Sequence, residues 1–172
     1  LESHLSTFDG LPTNKKLEIL SRSLGLPKSL HEIINQLKQK YTIRESHLHC
    51  NPKFNHLNAL FNLTKKFKIA VCSNSIKKTI DTLMELSQLN IYLDLIISNE
   101  DVKAPKPDPE MYLLAMKKFN LNPNECLIIE DNDHGVQAAL ASGAHLLKVS
   151  KPDDVSLERI NNKILDIESI KD

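Results

Sequence analysis

The sequence predicts an α/β fold in which a parallel sheet follows an N-terminal helical cap. From about residue 67 onward, short apolar runs of strand length alternate with stretches of helical periodicity, which is typical of βαβ units. Before that point, apolar residues recur only at helical spacing. The 172 residues suffice for one domain with a small appendage. We therefore expect residues 1–52 to form a partial cap and residues 53–172 to form the α/β core.

The N-terminal part is predicted to contain three helices. The first ends at Gly25 and has leucines on one face, and the second begins at about Pro27. Residues 41–52 are polar and lack clear periodicity, so they are predicted to be a linker. A third helix covers about 53–66 and is expected to bury Phe54.

Four short apolar runs are the predicted strands of the core. They are residues 67–72, 94–98, 126–129 and 145–149. A helix follows each of the first three, and Asp108-Pro109-Glu110 supplies a cap, a proline and an acid at the start of one of them. The tail is predicted to contain a helix near 153–160 and an apolar stretch at 164–167.

Charge balance and cysteine usage exclude several classes of protein. With 22 basic and 22 acidic residues the formal net charge is +0, so the basic footprint of a nucleic-acid partner is missing. No apolar run has membrane-spanning length, and the first ten residues lack the pattern of a signal peptide. Three scattered cysteines indicate buried thiols in a reducing compartment. These features predict a cytoplasmic protein with neither a nucleic-acid nor a membrane partner.

Two adjacent acids follow the apolar residues of the third predicted strand. Glu130 and Asp131 should therefore lie at the carboxyl end of that strand, which is the edge where ligands of open α/β sheets bind. Carboxylates are hard oxygen ligands of the kind that Mg²⁺ takes. Helix capping is an equally weighted alternative for this cluster, since Asp and Asn are favoured at helix N-termini.

Polar groups after the first two strands are predicted to reach the same edge. The hydroxyl of Ser73 and the backbone N–H groups that begin the next helix suit a phosphate. Lys106 lies in a proline-rich loop after the second strand, where its ammonium group can be held as a point charge. Taken singly, the serine would be a turn residue and the lysine an exposed one. Together with the acidic pair they predict a site for a phosphoryl group and Mg²⁺.

These stretches are similar to the motifs of a known family. Residues 71–75 (Val-Cys-Ser-Asn-Ser), 106–110 (Lys-Pro-Asp-Pro-Glu) and 129–135 (Ile-Glu-Asp-Asn-Asp-His-Gly) resemble the second, third and fourth motifs of the haloacid dehalogenase (HAD) superfamily. The resemblance is closest to its β-phosphoglucomutase-like phosphatase branch and covers nearly the whole chain. It implies a Rossmann-like parallel sheet core, a mobile helical cap, Mg²⁺, and phosphoryl transfer through an aspartyl-phosphate.

The resemblance also implies roles for residues of the core. Ser73 would bind the transferring phosphoryl group, with Asn74 beside it. Lys106 would bridge that group and the nucleophile. Glu130 and Asp131 would hold Mg²⁺.

Two positions of the cap match substrate-contacting positions of that branch. Thr13 ends a turn that resembles the substrate loop of the cap, and Lys38 resembles a cap lysine that faces the substrate. From the residues alone, Lys38 forms a small basic group with Lys40 and Arg44. A solvated helix face is the simpler explanation of that group, and a phosphate contact is the alternative.

The first motif of the family, Asp-x-Asp-Gly after a strand, has no counterpart in this sequence. The one Asp-Gly pair, Asp9-Gly10, follows Ser6-Thr7-Phe8 without an apolar strand and without an aspartate at position 7. The missing motif would supply the nucleophile and the general acid/base. We therefore expect the sequence to begin inside the cap, the core to lack its first strand, and these 172 residues alone to be inactive.

The predicted function is that of a Mg²⁺-dependent phosphatase of a small phosphorylated metabolite, with a sugar phosphate as one candidate. Three alternatives stay open from the sequence. The chain could be a non-catalytic remnant that binds a partner or phosphate. It could be a phosphomutase, although Thr13 stands where the mutase carries an arginine. It could also be a receiver-like domain, against which the helical first third and the Lys106 loop argue.

Overall fold

The computed structural model describes Phe8 and residues 10–169. The N-terminal helices are α1 (Thr13–Leu24), α2 (His31–His49) and α3 (Phe54–Leu63). The core elements are β1 (Ala70–Cys72), α4 (Lys77–Leu86), β2 (Leu95–Ile97), α5 (Glu110–Phe119), β3 (Leu127–Glu130), α6 (Asp133–Ser142), β4 (His145–Lys148) and α7 (Leu157–Ser169). None of the helices described is both long and apolar enough to cross a lipid bilayer.

The described strands form two parallel pairs. β1 pairs with β2 in a register that aligns Ala70 with Leu95, and β3 pairs with β4 in a register that aligns Leu127 with His145. Each pair is connected through a helix, as a parallel crossover requires. The predicted α/β class with parallel strands is confirmed.

The two pairs share their hydrophobic packing on both faces. On one face, Cys72 of β1 and Ile128 of β3 belong to a cluster with α5 and α6. On the other face, Ile69 and Ile129 belong to a cluster with α3 and α7. Side chains at successive strand positions point to opposite faces, which agrees with this division. β1 and β3 therefore pack against the same helices, although these two strands are not hydrogen-bonded to each other.

The predicted linker over residues 41–52 is wrong, because α2 continues to His49. The periodicity was hidden because polarity does not follow burial in this part of the helix. Tyr41 and Leu48 are exposed, whereas the buried residue is Ser46, whose hydroxyl donates to the Thr42 carbonyl at 2.8 Å.

Two other predictions for helices need correction. Phe54 is 78% exposed at the first position of α3, which buries Ala59 and Leu63 instead. The tail forms the single helix α7, which buries Ile160, and the turn at Pro152–Asp154 precedes it. By contrast, the helix predicted after the third strand is present as α6, and Asn132 and Gly143 cap its two ends.

The helical N-terminal part contacts the core through α2 and α4. Buried Thr79 of α4 donates a hydrogen bond from Oγ1 to Gln39 Oε1 of α2 at 3.1 Å. This contact places the middle of α2 over the carboxyl ends of the strands. The division of the chain at residue 52 stays a prediction.

Candidate active site

A cavity of about 420 Å³ lies where α1 and α2 meet the carboxyl ends of β1 and β2. Its walls include Ser73, Asn74 and Lys106 from the core, and Thr13 and Lys38 from the helical part. The structure thus brings together the five residues that the sequence predicted to bind phosphate or substrate. Their individual roles stay predictions.

Ser73 follows β1 and has a hydroxyl that can donate into the cavity. Its backbone N–H donates to the Ile97 carbonyl at 2.9 Å, which extends the β1–β2 ladder. Its Oγ accepts a hydrogen bond from the Ser75 N–H at 3.2 Å. Among the residues that the structure describes, none accepts the hydroxyl proton of Ser73, so the proton is available to a bound anion.

Asn74 connects the loops around the cavity through hydrogen bonds. Its Nδ2 donates to the carbonyls of Gly10 at 2.8 Å and Lys106 at 3.0 Å, while its Oδ1 accepts from the Lys106 N–H at 2.9 Å. Both polar atoms of the amide are therefore engaged by backbone groups. This geometry suits a residue that positions Lys106 better than one that binds phosphate directly.

Lys106 and Glu130 form a buried ion pair with Tyr112. Lys106 and Glu130 are each 7% exposed. Lys106 Nζ donates to the Tyr112 hydroxyl at 3.0 Å, and both Lys106 and Tyr112 donate to Glu130 Oε1. Because an unpaired charge is costly at this depth, each member of the group holds the others in place.

Tyr112 is a residue that the sequence analysis missed. It lies among the inward positions of α5, and its only sequence signal is a phenol in an apolar stripe, which must find a polar partner when buried. Burial and the neighbouring Glu130 carboxylate raise the pKa of Tyr112, so its hydroxyl remains a donor. Burial likewise raises the pKa of the adjacent Cys72 thiol to about 12, which keeps it uncharged.

Asn132, and not one of the acidic residues before it, forms the N-terminal cap of α6. Its Oδ1 accepts from the Gly135 N–H at 2.9 Å and caps α6, so neither Glu130 nor Asp131 performs that function. Asp131 is exposed, and its Oδ1 accepts from Asn132 Nδ2 at 3.3 Å. Asn132 Nδ2 also donates a hydrogen bond to Glu130 Oε2 at 3.4 Å.

These oxygen atoms can hold Mg²⁺ only in cooperation with other ligands. Mg²⁺ in proteins typically takes one or two carboxylates and completes its octahedron with water and substrate phosphate. Asp131 offers an exposed carboxylate, and Glu130 offers the oxygen that is not bound to Lys106. Among the described residues, no three His, Cys, Asp or Glu side chains converge as a metal site. A Mg²⁺ site at Glu130 and Asp131 therefore stays a prediction, and it would need further ligands from water or a phosphate.

The cavity has a basic character. Lys16, Lys38 and Lys106 line it, and none of the described lining residues is an acid. Burial and the nearby Lys16 ammonium lower the pKa of Lys38. A bound anion would offset this unfavourable proximity of like charges.

Gly135 leaves the space that the Glu130 carboxylate occupies. A Cβ atom at this position would lie 2.0 Å from Glu130 Oε2, well inside contact distance. Glu130 cannot simply turn away, because Lys106 and Tyr112 hold its other oxygen.

We expect Gly135→Ala to lower the free energy of unfolding by about 1–3 kcal/mol through overpacking. Without this clash, alanine in a helix would stabilise by about 0.5–1 kcal/mol. Urea denaturation should be compared with Gln137→Ala, an exposed substitution in the same helix. Equal stability of the two variants would contradict the packing described for Glu130.

Several known proteins are similar in sequence to this chain. The family model for haloacid dehalogenase-like hydrolases matches residues 2–149. An uncharacterized protein of Haemophilus influenzae is 36% identical over 109 residues, which are 61% of this chain and 54% of that protein. A phosphorylated carbohydrates phosphatase of Thermotoga maritima is 29% identical over 137 residues, which are 78% of this chain and 62% of that protein. The chain thus spans little more than half the length of these relatives.

A solved structure shows the same fold. The crystal structure of β-phosphoglucomutase from Clostridium difficile superposes with a TM-score of 0.76 and is 20% identical, covering 93% of this chain and 80% of that one. This superposition shows that the two proteins share a fold. Since the family model matches most of the sequence, this chain belongs to the haloacid dehalogenase-like hydrolases.

Proposed function

We propose that this protein is a Mg²⁺-dependent phosphatase of a small sugar phosphate that works through an aspartyl-phosphate. The observation that carries the proposal is the buried Lys106–Glu130–Tyr112 group, whose lysine lines a cavity together with Ser73. The described walls of this cavity are basic. The Thermotoga maritima relative, named for phosphorylated carbohydrates, supports the class of substrate.

Each residue has a defined part in this proposal. The Ser73 hydroxyl donates to an oxygen of the phosphoryl group, and the Lys106 ammonium neutralises charge that develops on that group. Asn74 and Glu130 hold Lys106 in position. Asp131, with the second oxygen of Glu130, would hold Mg²⁺, which supplies further positive charge to the phosphoryl oxygens when bound.

The nucleophile is the remaining requirement. No aspartate is found among the described residues that line the cavity. We therefore expect turnover only where an aspartate is supplied next to Lys106, and phosphate binding without turnover from these 172 residues alone.

The test measures release of inorganic phosphate from a panel of sugar phosphates, with Mg²⁺ and with EDTA. It compares the protein expressed from its intact gene with the 172-residue chain, and calorimetry measures phosphate binding to both. Mg²⁺-dependent hydrolysis by the protein from the intact gene is the expected result. Failure to hydrolyse any phosphomonoester would overturn the proposal.

A phosphomutase is the second candidate, and Lys16 is the observation that favours it. Lys16 and Lys38 are close enough for one to lower the pKa of the other, so together they could receive a second anionic group of a substrate. Product analysis in the same assay separates the two activities. A phosphatase releases inorganic phosphate, whereas a mutase returns an isomerised sugar phosphate and requires a bisphosphate.

A further inference from the structure

Tyr112 is buried behind Lys106 and is not among the described residues that line the cavity. It is 6% exposed. Its hydroxyl group accepts a hydrogen bond from Lys106 Nζ at 3.0 Å and donates one to Glu130 Oε1. A substrate in the cavity would therefore contact Lys106 and not Tyr112. Any effect of the phenol on the reaction must then pass through Lys106 or Glu130.

The ammonium group of Lys106 has three N–H bonds with which to donate. One N–H donates to the Tyr112 hydroxyl oxygen and another to Glu130 Oε1, and the described part of the chain shows no third acceptor. Because Lys106 lines the cavity, the remaining N–H is available to an oxygen of a bound phosphoryl group. Two acceptors restrain this group more than Glu130 alone would, since the donors of a lysine otherwise rotate on a flexible stem.

The Tyr112 hydroxyl group also limits how far Glu130 compensates the charge of the lysine. Tyr112 and Lys106 donate to the same carboxylate oxygen, Oε1, so the negative charge of Glu130 is shared between two donors. Less of that charge acts on the ammonium group, and more of the lysine charge acts on an anion in the cavity. Burial strengthens this effect, because electrostatic interactions are screened less away from water.

The loop that carries Lys106 and the helix that carries Tyr112 are joined by hydrogen bonds. The carboxylate of Glu110, in the first turn of α5, accepts from the N–H groups of Lys103 at 3.1 Å and Ala104 at 2.7 Å. These backbone hydrogen bonds hold the pKa of Glu110 below its usual range, so the carboxylate remains charged at neutral pH. Tyr112 is therefore preorganised relative to Lys106 before a substrate binds.

We infer that Tyr112 is a positioning residue, whose hydroxyl group directs the Lys106 ammonium group toward the transferring phosphoryl group and keeps its charge from being fully compensated by Glu130. The inference rests on the proposed phosphatase function and assigns a part in it to a residue that does not touch the substrate. It predicts that removing this single oxygen atom slows turnover more than it weakens substrate binding, since the cation is needed most where charge develops in the transition state.

The experiment uses the protein from the intact gene and its variant Tyr112→Phe. Phenylalanine keeps an aromatic ring beside Lys106, whose Nζ lies 5.1 Å from the centre of the tyrosine ring, and removes only the hydroxyl group. Values of kcat and KM are measured with Mg²⁺ on the sugar phosphate that the protein hydrolyses. Met116→Leu, a substitution of similar volume at another buried position of α5, is the matched control.

Two further measurements separate positioning from a general effect on structure. Tyr112→Phe is also made in a background that combines Lys106→Met with Glu130→Gln, in which no buried charge is left unpaired. Nitrogen-15 NMR of the lysine ammonium groups gives a readout that does not require turnover. The signal of Lys106 is identified as the one that Lys106→Met lacks.

We expect Tyr112→Phe to lower kcat about tenfold and to change KM less than about twofold, because a hydrogen bond to a charged group is lost while the cavity keeps its lining. Met116→Leu should behave as the wild type. In the background without the ion pair, Tyr112→Phe should lower kcat no further, since the group that it positions is absent. The ammonium signal of Lys106 should shift in Tyr112→Phe and stay unchanged in Met116→Leu.

Three results would overturn the inference while the proposed function stands. They are a kcat of Tyr112→Phe equal to that of the wild type, a loss of kcat that persists undiminished in the background without the ion pair, and an unchanged ammonium signal of Lys106. If the wild type hydrolyses no phosphomonoester, the proposed function fails and the inference fails with it.

Discussion

Replacing Lys106 with methionine is expected to lower kcat about 10²–10³-fold in the active protein, because the variant loses the buried cation that faces the transferring phosphoryl group. The same change leaves the Glu130 carboxylate without its partner, because Glu130 is 7% exposed and, within the described part of the chain, forms an ion pair only with Lys106. Removing one partner of a buried pair costs about 3–5 kcal/mol of folding free energy. Loss of turnover and loss of stability must therefore be measured separately.

A double variant separates the two effects. In Lys106→Met combined with Glu130→Gln, no buried charge is left unpaired, so most of the folding free energy should return in urea denaturation. The turnover should not return, because the cation is still absent. Lys103→Met, an exposed lysine in the same loop, is the control and should behave as the wild type. If Lys106→Met matches Lys103→Met in turnover, the role proposed for Lys106 is wrong.

The second large effect is expected from Asp131→Asn. The substitution keeps the shape of an exposed side chain but removes the charge that would hold Mg²⁺, so we expect kcat to fall about 10²-fold and the Mg²⁺ requirement to rise. The free energy of unfolding should change by about 0.5 kcal/mol or less, since Asp131 is exposed. Activity is titrated with Mg²⁺, and thermal unfolding with and without Mg²⁺ gives a readout that does not depend on turnover.

Asp133→Asn is the matched control for this prediction. Asp133 is also exposed and only two positions away, but its carboxylate pairs with Lys148 at 3.3 Å. We expect its Mg²⁺ response to equal that of the wild type. An unchanged Mg²⁺ requirement in Asp131→Asn would remove Asp131 from the proposed metal site.

The meeting of Ser73, Lys106 and Glu130 could be predicted because parallel strands bring their carboxyl ends to one edge. Local signals also sufficed for α6, where Asn132 and Gly143 mark both ends. Tyr112 could not be predicted, because its bond to Glu130 spans 18 residues and depends on how α5 packs on the sheet. Sequence motifs name residue types, whereas such contacts are created by tertiary packing.

The role of Asn74 also depends on tertiary contacts that the sequence does not reveal. Asn74 lies in a motif typical of phosphate binding, yet its amide is used by the backbone of Gly10 and Lys106. The length of α2 was missed for a related reason, since its apolar side chains Tyr41 and Leu48 face outward.

The separation of the strands into two pairs has a consequence for self-association. In a continuous parallel sheet the middle strands are protected and the outer strands carry the free backbone groups. Here β1 and β3 each have a hydrogen-bonded neighbour among the described strands on one side only. Both strands carry apolar side chains, so an unpaired edge of either strand is a template for an extended segment of another molecule. These strand edges, which end close to the cavity, are therefore a surface at which we expect self-association.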